Sequence, residues 1–160
     1  MNKFIIKFLA VFLFLALLSC SYKPIFSEKK YNFEINEVSF IGEKNINKII
    51  KNNLNVLKRN NDDFTYKKKY NLLIKSNQKK VIVSKDTKGD PLKFEFTLTT
   101  YFEISDEKNL LLKKTVVKNN LYNNVTDKFE LERNEKIILQ NLSEKISEIV
   151  ISSIMNLNDN

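Results

Sequence analysis

The sequence of 160 residues contains no histidine, no tryptophan and only one cysteine, Cys20. A single cysteine cannot form an intramolecular disulfide, and zinc sites prefer Cys and His ligands. Nucleophilic catalysis needs an activated side chain beside a base, and histidine, the commonest base, is absent. The chain has only two glycines and no glycine-rich phosphate-binding loop. We therefore expect a binding or scaffold protein: no enzyme, no metal site and no cofactor.

The N-terminal segment has the pattern of a bacterial lipoprotein signal. Two lysines form a positive n-region, and an apolar run from Phe8 to Leu18 follows. This run is too short for a comfortable transmembrane helix, which needs roughly 20 residues. Leu17-Leu18-Ser19-Cys20 matches a lipobox, so we expect residues 1–19 to be a signal peptide and Cys20 to carry the lipid. The alternatives are an uncleaved anchor or an ordinary signal followed by a chance cysteine.

Positive charge exceeds negative charge along the chain. Lys and Arg together number 27 against 19 Asp and Glu, and the formal net charge is +8. Removal of the two signal-peptide lysines lowers the charge to +6. Two interpretations stay open: attraction to anionic partners such as lipid phosphates, or a solvated lysine surface that an AT-rich genome would also encode. Nucleic acid is not an expected partner, because export separates the protein from it.

Apolar patterns predict a single domain over residues 32–157, preceded by an acylated tether over residues 20–31. A first strand should end at Gly42. The parity of its apolar residues switches between Ile35 and Val38, which predicts a β-bulge.

A long second strand is predicted from about Tyr66 to Ser84, with an irregularity near residues 76–77. The clearest turn of the chain follows over residues 86–91. Gly89 lies in this turn, where the backbone needs a positive φ.

The third strand alternates strictly, which predicts one buried and one polar face. Its apolar face consists of Leu92, Phe94, Phe96, Leu98, Phe102 and Ile104. We interpret the phenylalanine row as core; a lipid-binding row is the alternative, because apolar pockets are lined in the same way. After a hairpin loop at residues 105–109, a fourth strand should run to about Tyr122.

Two helices are predicted from apolar residues at helical spacing. The first carries them over residues 46–57, with Asn45 as its N-cap. The second runs from about Asp127 to Met155, and Asp127 with Glu130 has the spacing of a capping box. Its apolar stripe consists of Ile138, Leu142, Ile146, Ile149, Val150 and Ile154. The order β-α-β-β-β-α predicts an α+β fold, a two-layer sandwich in which two helices cover one face of a mostly antiparallel four-stranded sheet.

Three short motifs occur in a particular order along the chain. Cys20-Ser21-Tyr22-Lys23-Pro24-Ile25-Phe26 begins the expected mature protein. Ser84-Lys85-Asp86-Thr87-Lys88-Gly89-Asp90-Pro91 leads into the alternating strand, and Leu121-Tyr122-Asn123 precedes the last helix. In these motifs and in the order of its elements, the chain resembles the LptE family of lipopolysaccharide-assembly lipoproteins, in its alphaproteobacterial form. Ser21 stands where that form usually has glycine.

The resemblance implies a function. LptE proteins sit inside the lumen of the outer-membrane β-barrel LptD, help it to assemble and bind lipopolysaccharide on its way to the cell surface. By this resemblance the chain is a lipid-anchored protein on the periplasmic side of the outer membrane, with an LptD-like barrel and lipopolysaccharide as partners. Lys85, Lys88 and Lys93 are then the candidates for lipopolysaccharide contact, with ordinary solvation as the alternative for each.

Two further classes stay open on the sequence. A generic envelope lipoprotein could use the same sandwich to recruit another partner. A lipid carrier would need an internal cavity beneath the phenylalanine row, whereas a barrel plug predicts a packed core and an extensive outer surface buried in a partner.

Overall fold

The computed structural model describes residues 33–58 and 68–159. Six elements follow one another in this part of the chain: β1 (Phe33–Gly42), α1 (Lys44–Lys58), β2 (Lys68–Lys85), β3 (Pro91–Ser105), β4 (Leu110–Asn123) and α2 (Lys128–Asp159). The expected signal peptide (1–19), lipid attachment site Cys20 and tether (20–31) lie outside the described residues and stay predictions.

The four strands form one sheet in the order β1-β2-β3-β4. β1 and β2 are parallel, whereas β2–β3 and β3–β4 are antiparallel. A parallel pair needs a crossover connection, and α1 lies within the connection from β1 to β2. The predicted α+β class and element order are confirmed, with a mixed sheet that contains one parallel pair.

The predicted irregularities of the strands are partly confirmed. The register of β1 against β2 shifts between Ile35 and Glu37, where the bulge was expected. The irregularity predicted near residues 76–77 is wrong, because β2 pairs with β3 without interruption from Asn71 to Ile82. The register shifts instead after Ile82. What ends at Ser76 is the pairing with β1, whose last residue lies opposite it.

The start of α1 differs from the prediction. The backbone N–H of Asn47 donates to the carbonyl oxygen of Glu43 at 3.0 Å, so Glu43 is the N-cap and Asn45 lies inside the first turn. The cause is Gly42, whose φ of +95° turns the chain directly out of β1. The N–H of Glu43 then donates to the carbonyl of Ser76 at 3.3 Å, which fixes the helix start two residues early.

The core lies between one face of the sheet and the two helices. It contains the phenylalanine row of β3 together with apolar residues of both helices; its fully buried members include Ile46, Ile50, Ile74, Leu98, Phe102, Ile104, Ile146, Val150 and Ile154. The row is therefore core, as interpreted from the sequence. Leu92 is an exception, because its side chain is 50% exposed. It lies beyond the end of β1, in the part of the sheet that α1 does not reach. The buried face of β3 also includes Thr100, which lies between Leu98 and Phe102 in the alternation.

α2 begins where it was predicted to begin. The Asp127 Oδ1 atom accepts from the backbone N–H of Phe129 at 2.8 Å and of Glu130 at 3.3 Å, so the capping role of Asp127 is confirmed. The helix continues to Asp159, beyond the predicted end at Met155. Neither described helix has an apolar stretch long enough to cross a membrane.

Candidate functional site

The turn between β2 and β3 is fixed by one carboxylate. The Asp86 Oδ1 atom accepts from the backbone N–H of Lys88 at 2.9 Å and of Asp90 at 2.8 Å. The N–H of Asp86 also donates to the Asp90 carbonyl at 2.8 Å. Gly89 has a φ of +92°, which confirms the predicted positive φ. The turn is thus held by its own backbone and presents its other side chains outward.

The three candidate lysines lie around this turn. Lys85 is the last residue of β2, Lys88 lies in the turn itself, and Lys93 pairs with Ser84 in the first part of β3. All three side chains are exposed, and none forms an ion pair with a residue of the described ranges. The structure therefore places the predicted residues at one end of the sheet, with their ammonium groups available to an anion.

Aliphatic side chains surround the lysines. Ile82, Val83 and Leu92 are each about half exposed on the strands that flank the turn. This feature was not predicted, because Leu92 was expected to lie in the core. Cations next to exposed aliphatic groups suit an amphiphile that carries both an anionic group and hydrocarbon. We call these six residues, Ile82, Val83, Lys85, Lys88, Leu92 and Lys93, the lysine tip.

Asn124 connects the lysine tip to the end of β4. Its backbone N–H donates to the Leu92 carbonyl at 2.8 Å, and its side-chain Nδ2 atom donates to the Pro91 carbonyl at 2.8 Å. The Leu121-Tyr122-Asn123 motif therefore lies beside the turn motif, although some thirty residues separate them in the sequence.

A polar cluster beneath the tip joins α2 to the sheet. Lys80 forms an ion pair with Glu135, and the Lys80 Nζ atom lies 4.2 Å from the centroid of the Phe94 ring. The Tyr122 hydroxyl donates to the Glu135 Oε1 atom at 2.8 Å. Burial and the hydrogen bond to Glu135 raise the pKa of Tyr122 well above its ordinary value of 10.0. Glu135 thus holds the N-terminal half of α2 against β2 and β4.

The alternation of side chains along β2 predicts the face on which Lys80 lies. Lys80 lies an even number of residues after Tyr70, Leu72 and Ile74, so it belongs to the face of β2 that the helices cover. The Lys80 side chain stays 37% exposed, so its ion pair with Glu135 is a favourable contact between sheet and helix and not a requirement of burial.

The opposite face of the sheet is not covered by any described element. It carries threonine and valine side chains together with charged and aromatic ones; its members include Ile41, Lys75, Thr97, Thr99, Tyr101, Thr115, Val117 and Leu121. The Lys75 Nζ atom lies 5.7 Å from the Tyr101 ring centroid, and the Asn119 Nδ2 atom donates to Glu95 at 2.6 Å. We call it the uncovered sheet face. Within the described ranges, no group of three His, Cys, Asp or Glu side chains could hold a metal ion.

Fold and site together define a small mixed α+β domain with a basic, amphiphilic turn at one end and a bare sheet face. No protein-family model matches the sequence, and no curated protein matches it.

Solved structures of lipoproteins share the fold. The chain is similar to rare lipoprotein B from Shewanella oneidensis, with a TM-score of 0.55, 14% sequence identity, and coverage of 76% of this chain and 98% of that one. It is similar to lipoprotein B from Nitrosomonas europaea, with a TM-score of 0.57, 13% identity, and coverage of 81% and 87%. A minor lipoprotein from Acinetobacter baumannii gives a TM-score of 0.54 at 13% identity, with coverage of 76% and 94%. The chain therefore has the fold of these lipoproteins.

Proposed function

We propose that the chain is an envelope lipoprotein, acylated at Cys20 and anchored on the periplasmic side of the outer membrane. There it fills the lumen of an LptD-like β-barrel, helps that barrel to assemble and contacts lipopolysaccharide in transit. The uncovered sheet face carries the proposal. A whole face of a four-stranded sheet with exposed Val117 and Leu121 is the surface that a plug offers to its surroundings.

The lipobox and the shared fold support the proposed anchor. The sequence motif ends at Cys20, and three similar structures are of lipoproteins. Acyl chains contribute about 0.8 kcal/mol for each buried methylene group, so several chains hold a protein on a membrane almost permanently.

The packing of the core favours a plug over a lipid carrier. Phe96 and Phe102 belong to the core cluster, in which residues of both helices also pack. Side chains of the protein thus occupy the place where a carrier would hold hydrocarbon.

The lysine tip supports the proposed contact with lipopolysaccharide. The ammonium groups of Lys85, Lys88 and Lys93 would meet the lipid A phosphates, while the neighbouring aliphatic groups would meet its hydrocarbon. Exposed charge pairs of this kind are weakened by salt, because the Debye length falls to about 8 Å at physiological ionic strength.

The partner is tested by purifying the acylated protein from its own membranes in mild detergent. We expect a stoichiometric complex with an LptD-like barrel, identified by mass. A Cys20→Ala variant should no longer be retained in the membrane unless the barrel itself holds it. Recovery of the wild-type protein without any barrel would contradict the plug and leave a generic envelope lipoprotein as the better description.

The lipid contact is tested by reversing two charges. Lys85→Glu with Lys88→Glu should weaken lipopolysaccharide binding by about tenfold or more, which corresponds to about 1.4 kcal/mol. Lys48→Glu with Lys51→Glu on the exposed side of α1 changes the net charge by the same amount and is the matched control. Equal binding by both variants would remove the lysine tip from the proposed site.

A further inference from the structure

β4 is an edge strand, and its outer side, which pairs with no described strand, is regular over most of its length. It ends the sheet order, and no described element lies beyond it. Its pairing with β3 runs without a register shift from Leu112 to Asn123, and it contains neither Gly nor Pro. The other edge strand, β1, is interrupted by its bulge. Long regular edges are templates for another strand, and bulges are one way in which proteins block them.

The hydrogen-bond alternation identifies which backbone groups of β4 are free. The N–H of Asn124 donates to the carbonyl of Leu92, so these two residues form a hydrogen-bonded pair. Such pairs alternate with non-hydrogen-bonded pairs along an antiparallel ladder. The even-numbered residues of β4 therefore bond to β3, and the odd-numbered residues point their N–H and C=O groups outward. From Lys113 to Asn123, six consecutive outward positions are available to an added strand.

The side chains of β4 select the kind of strand that fits. Val117 is 57% exposed and Leu121 62% exposed, and both belong to the uncovered sheet face. Lys114 and Lys118 lie on the opposite side of the strand, four residues apart, and β4 contains no acidic residue. An added strand would thus meet two ammonium groups on one face, and on the other face it would meet Val117, Leu121 and the third lysine of β4, Lys113. Opposite charges in facing positions stabilise a strand pair by roughly 0.2–1 kcal/mol, and like charges destabilise it.

From this geometry we propose that the free edge of β4 binds an extended polypeptide segment of another protein, with carboxylates on one side of the segment and aliphatic residues on the other. A second β4 fits less well, because two copies would bring six lysines into one ribbon. A wall strand of a closed barrel has no free edge to offer. The inference goes beyond the proposed function and needs neither the barrel nor lipopolysaccharide.

Amide hydrogen exchange on the full acylated chain in detergent micelles tests the proposal. The probe is a ten-residue peptide of alternating glutamate and valine. Without peptide, the odd-numbered amides from Thr115 to Asn119 should exchange faster than the even-numbered ones, which bond to β3. With peptide at about ten times its dissociation constant, the odd-numbered amides should slow about tenfold.

A pair of variants separates backbone pairing from side-chain contact. Val117→Pro removes an outward N–H that makes no bond to β3, a position at which edge strands tolerate proline. It should abolish the effect of the peptide, whereas Val117→Thr should retain it. Continued protection of the even-numbered amides verifies that the sheet is intact in both variants.

Three results would overturn the proposal. The first is an absence of slowing at millimolar peptide. The second is equal slowing by a peptide with lysine in place of glutamate, which would refute the charge selection. The third is protection of the odd-numbered amides that rises with protein concentration alone, which would identify a second copy of the chain as the occupant.

Discussion

Gly42 and Gly89 offer a matched test of backbone geometry. Both have a positive φ, +95° and +92° respectively, in which alanine is disfavoured by about 1–2 kcal/mol. Their surroundings differ. A Cβ atom at Gly42 would lie 1.9 Å from the carbonyl oxygen of Ser76, whereas a Cβ atom at Gly89 would meet nothing within 4 Å. The oxygen belongs to the backbone of a central strand and cannot rotate away as a side chain would.

The structure gives the expected difference between the two alanine variants. In Gly89→Ala, the positive φ should lower the free energy of unfolding by about 1–2 kcal/mol. About 0.4–1 kcal/mol of this loss is offset, because alanine also restricts the unfolded chain. Gly42→Ala should lower the free energy of unfolding by about 1–3 kcal/mol more than Gly89→Ala does, because β1 and β2 must separate to make room for the Cβ atom. This is the usual cost of overpacking.

Urea unfolding followed by circular dichroism measures both variants. With a slope of about 1–3 kcal/mol per molar urea, an added loss near 2 kcal/mol moves the midpoint by about 1 M. Equal midpoints for Gly42→Ala and Gly89→Ala would refute the close approach of Gly42 to Ser76. A midpoint equal to that of the wild-type protein in both variants would also refute the positive φ values of the two glycines.

Two further predictions concern the core and the polar cluster. Phe102→Ala should cost about 3–5 kcal/mol, because the ring is fully buried, while Leu92→Ala on the same strand should cost far less; similar losses in urea unfolding would contradict the observed exposure of Leu92. Glu135→Gln should lower the pKa of Tyr122 toward 10.0 without fully restoring it, because burial remains. In the wild-type protein the raised pKa contributes stability that is fully present below about pH 10 and is lost as the pH rises toward the folded-state pKa. Ultraviolet titration of tyrosinate checks the shift, and an unchanged titration curve would show that Glu135 does not contribute to it beside burial.

The element order and most of the core could be predicted from periodicity alone. β3 alternates so strictly that its buried face was identified almost completely, and Asp127 was recognised as a cap from its spacing to Glu130. These features depend on neighbours in the sequence, so the sequence displays them directly.

The errors arose where a distant element decides the outcome. Leu92 continues the apolar alternation, yet β1 and α1 do not extend far enough to cover it. Asn45 has the chemistry of an N-cap, but the bond from Glu43 to Ser76 fixes an earlier helix start. At the candidate site, Lys85, Lys88 and Lys93 lie near one another because one turn connects them, and their role in lipopolysaccharide contact stays a prediction. The aliphatic groups beside them, and the Lys80–Glu135 contact, depend on strand lengths and on the placement of α2, which no local pattern reveals.

The parallel pairing of β1 with β2 sets how far the two ends of the molecule can reach. Because Phe33 lies beside Lys68, the chain enters the sheet at the end opposite the lysine tip. β2 has 18 residues, so the two ends are up to about 60 Å apart. Residues 21–32 span about 42 Å at most when fully extended. We consider an upright domain with Cys20 acylated as proposed. The distance from its lysine tip to the point where the tether joins the sheet is then greater than the length of the tether, so the tether cannot bring the tip back to the anchoring leaflet. A contact at the lysine tip, as proposed, would then take place away from the anchoring leaflet, and only a domain lying on its side would return the tip to the lipid surface.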